Sequence, residues 1–428
     1  MILAERELPN PFFGREPLNN GLPLSQKTAS LIHALLASTF KQIVAATPPN
    51  GSFDFDCIYG GSPGILLLSL RLASCRDIPN EFLQTAQAFA TAFETRHGTF
   101  ANSLNTFTGK TALKLGFNPP VPSAHASPLF SPAVGFHVQS VLLNNILGDH
   151  VKARASFDAV LEAGALARDY ESYDEICWGR SGFLLGAYPI LKDFSSVYSS
   201  PEKVEALVFQ IADAMVKRCG GTKVLNTICY GTEYYGVAHG IGGVILSLLQ
   251  YPHLAKKYAD VIHATLRHLI SIRLDNGNWP VHPKDTEGEQ MHWCHGAPGL
   301  GILFVAAAYR FPDTHPQYMI AALSAGEITW ERGLLKKGVG LCHGVAGNGY
   351  LFLYLHKVTG DAKWFQRAAC FAEFACGWEK LVKEGTMKRA DMFWSLFEGV
   401  GGACLFWADV VAVSEGREFV GIPCSFQF

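Results

Sequence analysis

Charge is scarce in this chain of 428 residues: Asp, Glu, Lys and Arg make up 17% of it, and 35 basic against 37 acidic residues leave a formal net charge of -2. No long basic run and no aromatic–basic interleaving supplies the electrostatic footprint that nucleic acid demands, so no nucleic-acid partner is expected. Long apolar runs are missing too. The most apolar stretches, 300–309 (LGILFVAAAY) and 400–412 (VGGACLFWADVVA), fall short of the roughly 20 residues that a membrane-spanning helix needs, and no transmembrane segment is expected. The opening MILAERELPNPFFG has neither the basic start nor the apolar core of a signal peptide. Position 2 is Ile and the chain ends CSFQF, so no lipidation motif is present. There is no C-x-x-C pair, which argues against a zinc finger or a dithiol redox centre. The 11 cysteines are odd in number and dispersed, several inside apolar stretches (Cys370, Cys376, Cys404). That is unlike a disulfide framework and fits a reducing compartment. A cytoplasmic protein is expected, its oligomeric state left open.

What is abundant is apolar and small. Apolar residues make up 49% of the chain, 42 residues are Gly, and the mean hydropathy is +0.14. Seven segments share a small-residue signature followed by an apolar run: YGGSPGILLLSL (59–70), FTGKTALKLG (107–116), WGRSGFLLGAY (178–188), AHGIGGVILSLL (238–249), CHGAPGLGILFVAAAY (294–309), CHGVAGNGYLFLYL (342–355) and FEGVGGACLFWADV (397–410). Their first glycines fall at 61, 109, 179, 240, 296, 344 and 399, a spacing that suits two helices and two connections per repeat. Six carry Gly-x-x-Gly; the second reads Gly109-Lys110-Thr111-Ala112, and the stretch 117–135 is divergent. No β-strand pattern precedes the glycines, so they are not a phosphate-binding fingerprint. Glycine at the start of a buried helix lets backbones approach closely.

Amphipathic stretches alternate with these runs. Residues 201–218 open on Pro201 and Glu202 and close on Lys217 and Arg218, which suits the two ends of a helix; 254–273 and 361–383 behave similarly. The reading is an all-α fold, an α/α toroid or double helical barrel of seven internal repeats, with an open solenoid as the alternative. Residues 1–50 form an N-terminal arm and first outer helix, and 51–428 the remainder of a single domain.

In a ring, equivalent positions of adjacent repeats meet at the mouth. Cys294-His295-Gly296 aligns with Cys342-His343-Gly344, and Ala238-His239-Gly240 lies one repeat earlier. Two thiols and an imidazole, Cys294, Cys342 and His343, suit one zinc ion per chain. Three protein ligands leave the fourth position of a catalytic site. His295 is equally well placed by repeat logic and is left outside the ligand set. Buried cysteines and capping histidines are the structural alternative, and the matching repeat positions weigh against it.

WCHGAPG (293–299), GLCHG-x-AGN (340–348), SLFEG-x-x-G (395–402), AHG (238–240) and RELPNPF (6–12) together resemble the eukaryotic lanthionine synthetase C-like proteins over nearly the whole chain. The resemblance implies an α/α toroid with zinc on Cys294, Cys342 and His343. Bacterial members of that family add cysteine thiols to dehydroalanine and dehydrobutyrine, and eukaryotic relatives bind glutathione. Family contacts to glutathione would fall on Arg6, Lys337 and Arg389. The family's catalytic histidine falls on His239, and its acidic partner on Asp174 or Glu175, which the alignment does not separate.

The chemistry follows from the residues as well. An open zinc position lowers the pKa of a bound thiol. Addition of the thiolate to a dehydroamino acid leaves an enolate, which needs an acid near the metal, and His239 is placed for that. The expected function is zinc-dependent addition of the glutathione thiol, as co-substrate, to dehydroamino acids in a peptide or protein. The alternatives are a non-catalytic zinc- and glutathione-binding signalling or scaffold protein and, behind it, a glycoside hydrolase. The last would need a carboxylate pair across the mouth from among Asp174, Glu175, Asp285, Glu287 and Glu398.

Overall fold

The computed structural model describes residues 6–13, 24–53, 56–74, 80–98, 127–169, 173–313 and 316–428. Among these residues the fold is helical apart from one short hairpin. In chain order the elements are α1 (Gln26–Ala46), α2 (Ser62–Ala73), α3 (Glu81–His97), α4 (Pro132–Ile146), α5 (His150–Asp169), α6 (Arg180–Tyr198) and α7 (Pro201–Arg218). The hairpin β1 (Ile228–Cys229) and β2 (Thr232–Glu233) follows. Then come α8 (Ile241–Gln250), α9 (Pro252–Lys257), α10 (Ala259–Ser271), α11 (Ala297–Arg310), α12 (Pro316–Arg332), α13 (Val345–Thr359), α14 (Ala362–Ala375), α15 (Trp378–Lys383) and α16 (Val400–Ser414).

Burial sorts the helices into two kinds. In α8, α11, α13 and α16 nearly every residue is buried; Leu351, Phe352, Leu353, Tyr354 and Leu355 are five consecutive side chains without exposure. Each such apolar side chain contributes about 1.5–3 kcal/mol by leaving water. The amphipathic α7 and α10 bury one stripe only, as a covering layer should. The apolar helices pack side by side in the order α2, α4, α6, α8, α11, α13, α16, and α16 packs again on α2. Their covering partners lie outside: α3 on α2, α5 on α4, α7 on α6, α12 on α11, α14 on α13 and α1 on α16.

Six of the seven signature glycines stand where the sequence put them, directly before a buried helix: Gly61, Gly179, Gly240, Gly296, Gly344 and Gly399. Gly109 and the 107–116 segment lie outside the described residues. The helix between α2 and α6 is α4, inside and just beyond the stretch that reads as divergent. It lacks the glycine cap: Ser131 caps it through its side chain, accepting from Val134 N–H at 3.3 Å. The second glycine of each signature has one repeated cause. The loop folds back over the helix it starts, so that Ile241, Val345 and Val400 N–H donate to the carbonyls of Tyr234, Gly338 and Phe393. That brings the carbonyls of Ile176, Val237, Trp293 and Leu341 against Gly182, Gly243, Gly299 and Gly347, where any Cβ would collide.

One helix passes the length-and-composition test for a span: α1 has 21 residues, and an 18-residue stretch of it has a mean hydropathy of 1.3. Polar residues from Ser30 to Gln42 interrupt its apolar ones and hide this in the sequence. Here its Ile32, Leu36, Phe40 and Ile43 are buried, and it packs on α16 and α14.

Gly347→Ala is expected to lower stability by about 1–3 kcal/mol through the collision with the Leu341 carbonyl. Gly377→Ala, whose added Cβ meets only ordinary contacts, should be nearly neutral. Denaturant midpoints of the two variants check this, and equal midpoints would contradict the close-approach argument.

Candidate metal and thiol centre

The loops before the buried helices are tied into a circuit of hydrogen bonds. Ala238 N–H donates to the Cys294 carbonyl at 3.3 Å, Cys294 N–H to Cys342 at 3.1 Å, Cys342 N–H to Phe397 at 2.8 Å and Phe397 N–H to Tyr59 at 3.2 Å. Tyr59 N–H donates to the Leu129 carbonyl at 3.1 Å. Leu129 N–H then donates to Ser127 Oγ at 3.2 Å, and that hydroxyl to the Ile176 carbonyl at 2.6 Å. Ile176 N–H returns to the Ala238 carbonyl at 3.1 Å. Side chains at equivalent loop positions therefore stand side by side, although they lie far apart in the chain.

Cys294, Cys342 and His343 are brought together by this circuit. One ligand atom from each lies within 4.8 Å of the other two. Ligands about 2.0–2.3 Å from one ion at the tetrahedral angle stand roughly 3.3–3.8 Å apart, so small side-chain movements close the set around zinc. The set is soft and compact, as zinc prefers, and these residues could hold it. Of the two thiols, Cys342 is the one whose pKa is lowered. The Cys294 thiol donates to it, which outweighs burial, and His343 adds positive charge, setting Cys342 well below the ordinary thiol value. Cys294, buried beside that sulfur, is pushed up. Tyr59 also helps to lower the Cys342 value, and its hydroxyl donates to Glu398 Oε1 at 3.1 Å.

His295 stands outside the three-donor group. Its ring centroid is 6.0 Å from that of His239 and 5.6 Å from that of Tyr234. Burial, reinforced by His239, His343 and Lys337, pushes its pKa down to about 3. The loop that carries it turns through Gly296 at φ 104, and Asn278 Oδ1 accepts from Ala297 N–H at 2.7 Å in place of a side-chain cap on the loop itself.

The two acidic candidates part company. Asp174 is ion-paired with Arg180 at 2.6 Å and Arg218 at 3.2 Å. Burial still holds its carboxyl above the ordinary value. Glu175 is fully buried; it accepts from the N–H of Cys177 at 2.7 Å and of Trp178 at 2.6 Å, and stands 3.0 Å from His239 Nδ1. Burial by itself would lower the His239 pKa, but the hydrogen bond and charge of Glu175 outweigh it and raise the value above 6.5. With Nδ1 engaged, Nε2 is the nitrogen left for a reacting partner. Cys229, from the hairpin, completes a second group of possible metal ligands with Glu175 and His239, its sulfur 3.9 Å from Nδ1.

The first group and, from the second, His239 border one cavity of about 560 Å³, whose wall also includes Lys337 and Glu398. A second cavity of about 450 Å³ is lined by Arg6, Lys336, Lys337 and Lys388, so Lys337 serves both. The N-terminal arm reaches it by pairing with the segment before Lys336: Leu8 N–H donates to Leu334 at 2.7 Å, and Lys336 N–H to the Arg6 carbonyl at 2.9 Å. The buried Glu7–Arg332 pair, 2.8 Å, pins the arm. Arg389 lies with its guanidinium 4.6 Å from the Phe393 ring centroid, and its neighbour Lys388 lines the cationic cavity. Tyr59, Glu398, Cys229 and Lys388 are residues of the centre that sequence reasoning did not single out for it. Tyr59 and Glu398 occupy the same loop positions as the metal ligands, so the repeat alignment carried the signal for them. Cys229 and Lys388 sit in connections that no repeat position marks.

Comparison with known proteins bears on the family and the fold. The family model for lanthionine synthetase C-like protein matches residues 128–422. A zebrafish (Danio rerio) protein named glutathione S-transferase LANCL1 is 32% identical over 263 residues, 59% of this chain and 61% of that protein. LanC-like protein GCL1 of Arabidopsis thaliana is 36% identical over 189 residues, 44% of this chain and 43% of that protein. The chain thus spans under two thirds of the length of each of these curated relatives. The solved structure of nisin cyclase superposes with a TM-score of 0.59 at 13% identity, covering 94% of this chain and 96% of its own. The fold is thus helical and resembles the nisin cyclase α/α toroid.

Glu175→Gln removes the charge that raises the His239 pKa, so the His239 value should fall. In the wild type this pair favours the folded chain below about pH 6.5, the ordinary histidine value, and that gain is lost as pH rises through the raised one. NMR titration of the imidazole in both forms checks the shift; an unchanged His239 value in the variant would contradict it.

Proposed function

Because the chain belongs to the lanthionine synthetase C-like family, we propose that it holds one zinc ion on Cys294, Cys342 and His343 and adds the glutathione thiol to dehydroalanine or dehydrobutyrine residues of a peptide or protein. The observation that carries this reading is the two-sulfur, one-nitrogen donor set in the wall of a cavity that also holds His239 backed by a buried carboxylate. A relative named as a glutathione S-transferase supports the choice of thiol. We read the fold as a closed toroid of seven repeats, with α4 as the second inner helix; the succession of packed helices from α2 round to α16 supports it.

Zinc bound there would supply an open position at which a thiol ionises near neutral pH. Two thiolate ligands balance its charge, which favours a nucleophilic sulfur over strong Lewis acidity. When that sulfur bonds to the β-carbon of the dehydroamino acid, the double-bond electrons move to the α-carbon and its carbonyl. His239 Nε2 then delivers a proton to the α-carbon, and Glu175 fixes the ring and stabilises the imidazolium that carries it. The thiol's own proton leaves to solvent, from which His239 is reprotonated. Asp174, engaged with Arg180 and Arg218, positions the loop. Arg6, Lys336, Lys337 and Lys388 are suited to the glutathione carboxylates, and Arg389 reaches them only by leaving Phe393.

Incubation of the zinc-loaded chain with glutathione and a dehydroalanine peptide should add the mass of glutathione to the peptide. Cys294→Ala and Cys342→Ala should lose the metal by elemental analysis, and the activity with it. His239→Asn should keep zinc and slow the reaction by about 10²–10⁴-fold. Bound zinc and glutathione without turnover on diverse peptides would instead favour a binding or signalling module.

A further inference from the structure

Glutathione carries an ammonium as well as two carboxylates, and the cations of Arg6, Lys336, Lys337 and Lys388 answer only the latter. The cavity wall offers one fixed anion beside the metal ligands. Glu398 precedes Gly399 in its signature loop, the position that His239 and His343 hold in theirs. Its Oε1 accepts from the Tyr59 hydroxyl at 3.1 Å, its Oε2 lies 3.4 Å from Met392 N–H, and its own N–H donates to Ser395 Oγ at 3.2 Å. All of these partners are neutral. Among the described residues, no basic side chain lies within 4.0 Å of this half-buried carboxylate. A carboxylate partly withdrawn from water and held only by neutral donors keeps part of its desolvation cost, which a bound ammonium would offset. Asp391 borders the same cavity, but it is exposed and no hydrogen bond orients its carboxylate.

Resting on the glutathione reading above, we propose that Glu398 receives the α-ammonium of the γ-glutamyl end of the incoming thiol and so sets the preference for glutathione over simpler thiols. The Tyr59 hydroxyl donates to Glu398, and both residues line the same cavity wall as Cys294, Cys342 and His343. The carboxylate therefore shares that wall with the candidate metal ligands, where the γ-glutamyl end of a thiol whose sulfur lies at those ligands can meet it. Lys337, in the same wall, is placed for the neighbouring α-carboxylate. The two ends of one zwitterion thus meet opposite charges, and a thiol without the amino group leaves Glu398 unanswered.

Calorimetry on the full-length, zinc-loaded chain tests this with two ligands, glutathione and glutaryl-cysteinyl-glycine, which lacks only the amino group. The wild type should bind glutathione about tenfold or more tightly than the glutaryl peptide. Glu398→Gln should lose that difference while still binding the glutaryl peptide and keeping its zinc, and Asp391→Asn should keep the difference. Equal binding of the two ligands by the wild type would overturn the proposal, as would discrimination that survives in Glu398→Gln or disappears in Asp391→Asn. Should Glu398→Gln lose its zinc, the wild-type comparison decides alone. A wild type that binds neither ligand would instead refute the glutathione reading, and this assignment would fall with it.

Discussion

Cys294 and Cys342 are neighbours because the backbone of one donates to the backbone of the other, and the circuit runs on through Phe397, Tyr59, Leu129, the Ser127 hydroxyl and Ile176 to Ala238. Each link contributes only about 0.5–1.5 kcal/mol, but the circuit is closed, so no loop can shift without stretching the links on either side. Everything chemical at the mouth hangs from it. It aligns the metal ligands, and it sets His239 against the buried Glu175. It also brings Tyr59, from a loop far off in the chain, to the same cavity wall as Cys342. The glycines serve the same circuit from below, since each loop can fold back onto its helix only where a Cβ is missing.

The electrostatics of the mouth divide the work. Sulfur and imidazole crowd together at the metal set, where the Cys294 thiol and His343 favour ionised Cys342 over a neutral thiol. On the other side a carboxylate with no exposure is matched to an imidazole rather than to a lysine or arginine. That pairing keeps a proton on a group able to give it up. Asp174, one residue away, meets the opposite surroundings: two arginines pair with it. Adjacent carboxylates thus differ through what the fold puts beside them.

Much of this was legible in the sequence because the signatures repeat. Six helix starts and the grouping of three candidate metal ligands follow from aligning glycines, and the alignment works because each of those glycines answers the same steric demand in its repeat. Where the demand is met differently the reading loses its mark: α4 starts from Ser131, whose side chain does the capping, and so its stretch looked divergent. Asp174 and Glu175 could not be told apart because adjacent residues on a loop differ only in direction, which depends on Arg180 nearby and on Arg218 and His239 far along the chain. Lys388 escaped for the same reason, as it joins Arg6 through pairing of the N-terminal arm with the segment before Lys336. The apolar stretch of α1 escaped because Ser, Thr, His, Lys and Gln interrupt its apolar residues.

The central claim is that three side chains of this chain hold zinc and leave a place for a thiol. X-ray absorption at the zinc edge, recorded with and without glutathione, reads the number of sulfur ligands directly. The account predicts two sulfurs and one imidazole from the protein, with a third sulfur added when glutathione is present. A first shell closed by four protein ligands, His295 among them, and unchanged by glutathione would contradict it.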